Sequence, residues 1–275
     1  AAAAALQAVL AEGELTGQEI DEKMYIDKHY YSIASKATIL PPHELNVPPE
    51  KFAAKFGVGW QDALDQGLVY NALGATKKLG ISSAELDAKW GAAKQAGQLI
   101  KFGGGFYCGL VEGIYVFNGF FMEMRGKYTG DAKISYYVVE WDENDLSWED
   151  FRGKALGPTD PAEAPADSLR GMISAVWQGL GLPGPCDVGD NGVHASASPF
   201  EAMAERCNWL EGTISSDPFG AAAIRAGVPE ATLEAWSVDP QVVFNGEKAS
   251  LFDLVEDLDS TACLQKLVEI YKQQQ

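Results

Sequence analysis

The chain has 275 residues, of which 47% are hydrophobic, and it carries a formal net charge of −18. Its length allows one domain with large additions or two small domains, and its apolar content is enough for a packed core. The negative charge argues against nucleic acid or an anionic membrane as a partner of the bulk surface, and no apolar run reaches the roughly 18 residues of a membrane-spanning helix.

The first elements are predicted to be a helix, a strand and a second helix. The segment from Leu6 to Leu15 is typical of a short amphipathic helix, and Thr16-Gly-Gln-Glu19 forms a capping-box start for another turn. The segment from Tyr25 to Ile39 is predicted to carry the first strand, which the two prolines at 41 and 42 end. Pro49 to Phe56 is predicted to be the helix that follows.

The middle of the chain is predicted to be helical and then to form two strands. From Val58 to Gly97 the pattern is helical, with a capping box at Ser82-Ser-Ala-Glu85. The glycine run at residues 103–105 predicts a turn rather than a phosphate-binding loop, because no Lys-Ser or Lys-Thr follows it. The strands are predicted at Ile114–Met124 and Ile134–Trp141.

Residues 191–205 contain the pattern that most suggests chemistry. They place His194 just ahead of a helix start. That start is marked by Ser198 as the N-cap, Pro199 at the first helical position and Glu201 three residues after the cap. A histidine held in such a turn can present one ring nitrogen as a nucleophile, and a helix N-terminus favours a neighbouring phosphate. A purely structural histidine fits the same turn, so this pattern alone leaves both interpretations open.

The last part of the chain is predicted to form three helices, at residues 217–226, 230–236 and 251–271. In the third, apolar residues recur three or four positions apart, which is the stripe of an amphipathic helix. The stripe either packs back on its own domain or, since the opposite face is acidic, binds a basic protein partner. The sequence leaves both alternatives open.

Two segments ahead of this tail share a pattern of glycine, proline and polar residues with a known family. Residues 157–171 read Gly-x-Thr-x-Pro and then Leu-Arg-Gly, and residues 191–198 read Asn-x-x-His-x-Ser-x-Ser. In both segments and their spacing the chain resembles the nucleoside diphosphate kinase family. The matching positions are Gly157, Thr159, Pro161, Arg170, Gly171, Asn191, His194, Ser196, Ser198, Glu205 and Trp209.

The resemblance implies a phosphotransferase that binds nucleoside di- and triphosphates. His194 would take the terminal phosphoryl group of a triphosphate and pass it to a diphosphate, while Glu205 would orient its imidazole. The residues implied to bind nucleotide are Lys36, Arg152, Thr159, Arg170, Asn191 and Ser196. Mg²⁺ would bridge the phosphates, and no metal held by the protein alone is implied. A cationic pocket in an acidic protein suits triphosphate chemistry.

Three departures from the family pattern support a second hypothesis. Ala197 stands where the family has an acidic residue beside the histidine, and residues 177–186 are an extra segment rich in glycine and proline. The two predicted middle strands leave only a short gap where the family has a helical hairpin with a base-stacking aromatic residue. The alternative is therefore a catalytically reduced structural or scaffolding subunit of a larger assembly.

The resulting expectation is an α+β fold, with a ferredoxin-like βαββαβ antiparallel sheet covered by added helices. We expect a helical extension over residues 1–24, a nucleoside diphosphate kinase-like domain over residues 25–212 with an insertion at about residues 57–112, and a helical extension over residues 213–275.

The cysteines and the lack of an evident signal peptide bear on location. Cys108, Cys186, Cys207 and Cys263 are scattered without metal-ligand spacing. We therefore expect free thiols, in the cytoplasm or another reducing compartment.

Overall fold

The computed structural model describes residues 8–275, and these residues divide into two compact units. The N-terminal unit contains residues 14–136, and the C-terminal unit contains residues 137–275 together with residues 8–13. The chain combines helices with strands, so it belongs to the α+β class that its sequence predicts. The domain limits drawn from the family pattern stay predictions.

The described part of the chain begins with a strand and a series of short helices. In chain order these are β1 (Ala8–Thr16), α1 (Gly17–Glu22), α2 (Tyr25–His29), α3 (Tyr31–Ala34), a π-helical turn (Ser35–Ile39), a 3-10 turn (Pro42–Glu44), α4 (Pro49–Phe56) and α5 (Trp60–Asp65). The predicted capping box is present, because the Thr16 hydroxyl accepts from Glu19 N while Thr16 N donates to the Glu19 carboxylate. The predicted helix α4 is also confirmed.

Two of the earliest predicted elements are wrong. Residues 8–15 of the predicted N-terminal helix lie in β1, and residues 6 and 7 fall outside the described part of the chain. The predicted strand at residues 25–39 is helical, with Ala34, Ala37 and Thr38 buried at helical rather than alternating spacing. In both segments long-range contacts override the local pattern.

The rest of the N-terminal unit is built around a four-stranded sheet. The elements are β2 (Val69–Asn71), α6 (Ala72–Leu79), α7 (Ser83–Gln95), β3 (Leu99–Gly103), β4 (Phe106–Val111), β5 (Ile114–Phe117), α8 (Phe121–Gly126) and β6 (Lys133–Glu140), whose last residues belong to the C-terminal unit. The strand order is β2-β5-β4-β3, with β2 parallel to β5 and the other pairs antiparallel. Strand β6 pairs with β1 in a separate ribbon.

Strand β5 lies at the centre of the N-terminal unit and is buried on both faces. Ile114 and Val116 belong to a core with helices α6, α7 and α8, and Tyr115 and Phe117 belong to another with helices α4 and α5. Successive side chains of a strand point to opposite faces, so one short strand contributes to two cores.

The middle elements differ from the sequence prediction in two places. Strand β2 interrupts the segment predicted to be helical throughout, although the capping box at Ser82 that begins α7 is confirmed. The predicted strand from Ile114 ends at Phe117, because Asn118 has a left-handed backbone (φ 47). The Asn118 side-chain amide donates to two backbone carbonyls. Helix α8 therefore replaces the end of the predicted strand and extends two residues into the gap that follows it.

The C-terminal unit is mainly helical. Its elements are α9 (Trp148–Asp150), a π-helical turn (Phe151–Leu156), a 3-10 turn (Pro161–Glu163), α10 (Leu169–Ala175), α11 (Pro199–Trp209), a 3-10 turn (Ile214–Ser216), α12 (Pro218–Arg225), α13 (Glu230–Trp236), β7 (Gln241–Phe244), β8 (Glu247–Ser250), α14 (Leu251–Val255) and α15 (Ser260–Gln273). Strands β7 and β8 form an antiparallel hairpin. The predicted helices at residues 217–226 and 230–236 correspond to α12 and α13.

The apolar stripe of the tail packs back on its own unit. The predicted single helix is two helices, α14 and α15, and their residues Leu251, Val255 and Leu267 are fully buried. They share a core with Phe200 and Met203 of α11. The observed arrangement is therefore the first of the two alternatives, in which the apolar stripe packs on its own unit.

The described residues contain neither a membrane-spanning helix nor a disulfide bond. Within residues 8–275, none of the helices would fill the width of a bilayer with apolar side chains. All four cysteines are free thiols, and Cys108 and Cys263 are buried.

Candidate functional site

The start of helix α11 holds the candidate histidine in a defined orientation. The Ser198 hydroxyl accepts from Glu201 N at 3.1 Å, which is the N-cap that the sequence predicts. Nearly two turns further along α11, Glu205 Oε1 lies 2.6 Å from His194 Nε2. A carboxylate oxygen only accepts, so the contact assigns a hydrogen to Nε2 and, in the neutral ring, the lone pair to Nδ1.

Ser196 and Trp148 fix the loop that carries the histidine. The Ser196 hydroxyl donates to the second oxygen of Glu205, so both oxygens of that carboxylate are engaged by the loop. The Trp148 indole Nε1 donates to the Ser196 carbonyl at 2.8 Å. The Glu205 side chain is 16% exposed whereas that of His194 is 52% exposed. The imidazole is thus anchored from a shielded side and remains reachable by solutes.

The charges around the imidazole favour its protonated form. Desolvation opposes that form, but the charge and hydrogen bond of Glu205 outweigh it, so the pKa of His194 is raised. Burial, followed by the charge of Glu205, raises the pKa of Glu201 to about 7. Glu201 also accepts from Ala197 N at 2.9 Å. A second, weakly acidic carboxyl group therefore lies one helical turn before Glu205 on α11.

Arg170 connects the Gly-x-Thr segment to the histidine loop. Its guanidinium donates to Gly157 O at 2.7 Å and to Val193 O at 2.8 Å. Nε is buried and has no hydrogen-bond partner among the residues described. Burial, and then the charge of Arg152, lowers the pKa of Arg170. A buried cation with an unpaired donor therefore lies next to the histidine loop.

The two motif glycines have a packing reason. Gly157 has φ 96, and a Cβ there would lie 2.7 Å from the Ser168 hydroxyl oxygen. A Cβ at Gly171 would lie 2.1 Å from Pro165 O. Both positions need glycine so that the chain can turn closely around Arg170.

Asn191 and Thr159 complete a connected set in the C-terminal unit. The Asn191 side-chain amide donates to Thr159 O at 3.2 Å, and the Thr159 side chain is exposed. Hydrogen bonds thus link the segments that carry six of the eight predicted site residues, namely Thr159, Arg170, Asn191, His194, Ser196 and Glu205.

Arg152 lies near this set but is engaged elsewhere. One guanidinium nitrogen, Nη1, contacts Glu256 at 3.0 Å and also pairs with Asp257. The same loop is held by Asp257 N, which donates to Ala197 O at 2.9 Å. Desolvation lowers the pKa of Arg152, and the two carboxylates more than offset it, so the pKa is raised. Two carboxylates of a loop from the tail thus pair with the Arg152 guanidinium.

Lys36 belongs to the N-terminal unit, and its predicted position at the end of a strand is wrong. It lies in the π-helical turn after α3, where its ammonium donates to Ser32 O at 2.5 Å and to the Ser35 hydroxyl at 3.3 Å. Burial lowers the pKa of Lys36. Its role as a phosphate ligand stays a prediction.

Four residues of the site were not predicted for their contacts. Glu201 was expected only to mark a helix start, although its spacing of four from Glu205 places both carboxylates on one face of α11. Trp148, Glu256 and Asp257 reach the site from distant segments and carry no local signal.

Comparison of the chain with models of protein families, with curated proteins and with solved structures gave no match.

Proposed function

We propose that this protein is a nucleoside diphosphate kinase-like phosphotransferase that carries the transferred phosphoryl group on His194. The contact between His194 Nε2 and Glu205 carries the proposal, because it orients the ring and stabilises positive charge on it. A purely structural histidine has no need of an exposed imidazole anchored to a shielded carboxylate.

The proposed step is an in-line attack by Nδ1 of neutral His194. The bond between Nδ1 and the γ-phosphorus forms while the bond from that phosphorus to the bridging oxygen breaks, and the nucleoside diphosphate leaves with the electron pair. The proton on Nε2 stays in place, so the ring becomes positively charged, and Glu205 stabilises that charge. Transfer to an acceptor diphosphate reverses the same step.

The remaining site residues would bind and position the phosphates. Arg170 offers a buried positive charge with an unused Nε donor. Thr159 offers an exposed side chain two residues after Gly157, whose carbonyl accepts from Arg170. Asn191 would hold the segment of Thr159, and Ser196 would hold the histidine loop, in the positions that bind the nucleotide. Lys36 and Arg152 remain proposed phosphate ligands.

Mg²⁺ fits this site as a metal that arrives with its nucleotide. Glu205 engages His194 and Ser196 with its two oxygens, so phosphate oxygens rather than this carboxylate would coordinate the ion. When bound, Mg²⁺ supplies charge neutralisation on the phosphates.

A ferredoxin-like arrangement is our proposal for the finer description of the fold. It is supported by the antiparallel pairs β5–β4 and β4–β3, and by the helices α6 and α7 that follow β2. A crystal structure of the full chain tests it through the strand order. A reducing compartment is the proposed setting, because all four cysteines are free thiols.

The second candidate function is a structural subunit with reduced catalysis. One observation favours it: Glu256 and Asp257 already neutralise Arg152, one of the proposed phosphate ligands. Under this alternative the histidine loop is retained as a packing element, and nucleotides are not turned over.

Incubation with γ-labelled ATP and Mg²⁺ separates the two functions. We expect label on the protein that is labile in acid and stable in base, and we expect His194→Ala to abolish it. His43→Ala is the matched control, because His43 is an exposed histidine in a 3-10 turn of the N-terminal unit.

The outcomes are distinct. Label that survives His194→Ala rejects His194 as the nucleophile. A folded wild-type protein that takes no label supports the structural subunit instead. Label lost from both histidine variants would point to a general loss of fold, which circular dichroism of each variant checks.

A further inference from the structure

Helix α10 and the turn that follows it carry an exposed apolar stripe. Leu169, Met172, Val176 and Leu180 follow one another at intervals of three, four and four residues, and between 45% and 56% of each is exposed. Most large apolar side chains of the C-terminal unit are buried in its core, so four exposed ones at this spacing form an unusual surface.

The stripe begins on α10 and continues in the turn that follows it, because α10 ends at Ala175 and Val176 has a non-helical backbone (φ −122, ψ 17). Met172 N donates to Ser168 O at 2.9 Å, and Leu180 N donates to Val176 O at 3.2 Å, both in the helical i to i−4 pattern. Residues spaced by three and four lie on one side of a helical turn, so Leu169 and Met172 share one side of α10, and Val176 and Leu180 share one side of the turn after it. The opposite side is turned inward at Arg170.

The segments that precede and follow the stripe in the chain are acidic, and they are called its acidic surround. Apart from His194, Arg170 is the one basic residue between positions 155 and 205, and its Nη1 and Nη2 atoms donate to backbone carbonyls. The exposed carboxylates of the same segments are those of Glu163, Asp167, Asp187 and Asp190. An apolar stripe with an acidic surround is complementary to apolar residues flanked by lysine or arginine.

We propose that the stripe of Leu169, Met172, Val176 and Leu180 binds a basic amphipathic helix of a partner protein. The apolar face of that helix covers the stripe, and its lysine or arginine residues meet the acidic surround. A second copy of this chain is a poor occupant, because it would bring the same acidic surround and a net charge of −18 to the contact. The inference does not depend on phosphotransfer at His194.

Calorimetric titration of the full chain with synthetic peptides tests the proposal. The probe is a leucine–lysine peptide of about 18 residues with helical spacing, long enough to form an isolated helix. The comparison peptides are a leucine–glutamate peptide with the same spacing and a serine–lysine peptide with the same charge. We expect the leucine–lysine peptide to bind at least tenfold more tightly than either.

The matched variants separate the stripe from general charge attraction. We expect Val176→Gln with Leu180→Gln to weaken binding of the leucine–lysine peptide at least tenfold. Val243→Gln is the control, since Val243 is similarly exposed, at 54%, but lies on β7. The substituted residues are exposed, so we expect the melting temperature of both variants to match that of the wild type.

Four results would overturn the proposal. The first is equal affinity of the wild type and the double variant for the leucine–lysine peptide, and the second is equal affinity of the wild type for the serine–lysine peptide. The third is a wild-type dimer in sedimentation that dissociates on Val176→Gln. The fourth is binding of the wild type to phosphatidylcholine vesicles that the double variant loses. The third would assign the stripe to a second copy of the chain, and the fourth would assign it to lipid.

Discussion

A single carboxylate, Glu205, governs both the orientation and the charge of the candidate nucleophile. Its Oε1 atom lies 2.6 Å from His194 Nε2, and its other oxygen accepts from Ser196. The same contact raises the pKa of His194 against the effect of desolvation. The site therefore holds the ring well but makes its neutral, reactive form scarcer at low pH.

We predict that labelling of His194 depends on pH through this pair. Neutral imidazole is the attacking species, so the labelling rate should rise with pH through a midpoint above the ordinary value of 6.5. Glu205→Gln should move the midpoint to lower pH and reduce the limiting rate by up to about a hundredfold, because the ring loses its orientation. Initial rates of label incorporation across pH measure both effects.

Glu234→Gln is the control for that experiment, since Glu234 is exposed on α13 of the same unit. A midpoint that stays in place after Glu205→Gln would mean that the carboxylate does not set the charge of His194.

Glu201 should make the stability of the protein depend on pH. Its folded-state pKa, about 7, is above the ordinary 4.5, so the folded protein holds its proton more tightly than the unfolded chain. Its contribution to stability is complete below the ordinary pKa and is lost as pH rises through about 7. We expect the free energy of unfolding to fall by about 1–3 kcal/mol over that range.

Urea denaturation at a series of pH values measures this decline. Glu201→Gln should remove most of it and leave the smaller part that comes from His194, whose raised pKa acts in the same direction. A decline of the same size in Glu201→Gln would assign the pH dependence to other groups.

At the scale of elements, the tail is part of the core of the C-terminal unit. Helix α15 contributes Cys263, Leu267 and Ile270, which are fully buried beside Phe200 of α11. The loop between α14 and α15 in turn pairs with Arg152 and donates to the histidine loop through Asp257 N. Packing and charge thus bring the tail next to the candidate site.

Truncating a buried tail residue should lower stability strongly. We expect Leu267→Ala to reduce the free energy of unfolding by about 2–5 kcal/mol, because it removes a fully buried side chain and leaves a cavity. Gln265→Ala, at an exposed position of the same helix, should change it little. Denaturant titrations of both variants give the comparison, and a loss below about 1 kcal/mol for Leu267→Ala would mean that α15 is not part of the cooperative core.

Releasing Arg152 from the acidic loop should strengthen phosphate binding. We expect Glu256→Gln with Asp257→Asn to tighten the binding of inorganic triphosphate about fivefold, which corresponds to ~1 kcal/mol for half-exposed ion pairs. Asp253→Asn is the control on α14. Isothermal titration calorimetry measures the affinities, and unchanged or weaker binding by the double variant would contradict competition between the loop and the ligand.

The elements that could be predicted from the sequence are those with local signals. The caps of α1, α7 and α11 were identified because Ser or Thr caps are read from adjacent residues. Strand β1 and the helices α2 and α3 were missed because their conformation depends on distant contacts, such as the Arg125 Nε bond to the buried Asp27 at 2.9 Å. No local pattern shows such a pairing.

At the scale of the whole molecule, the site was predictable where its residues belong to two compact motifs. The hydrogen bonds from Arg170 and Asn191 bring those motifs together in the C-terminal unit. The contacts of Arg152 span 104 and 105 positions, which is why its neutralisation by the tail had no signal in the sequence. The contact of Trp148 with the histidine loop spans 48 positions, and that of Asp257 with Ala197 spans 60.

The location of the phosphoryl group tests the central claim most directly. Wild-type protein is incubated with ATP and Mg²⁺, digested at alkaline pH and examined by mass spectrometry, and intact 15N-labelled protein is examined by phosphorus–nitrogen correlated NMR. We predict one phosphorylated residue, His194, with phosphorus bonded to Nδ1, because Nε2 is held by Glu205. Phosphorus on Nε2 of His194, on another residue, or on none would contradict the account.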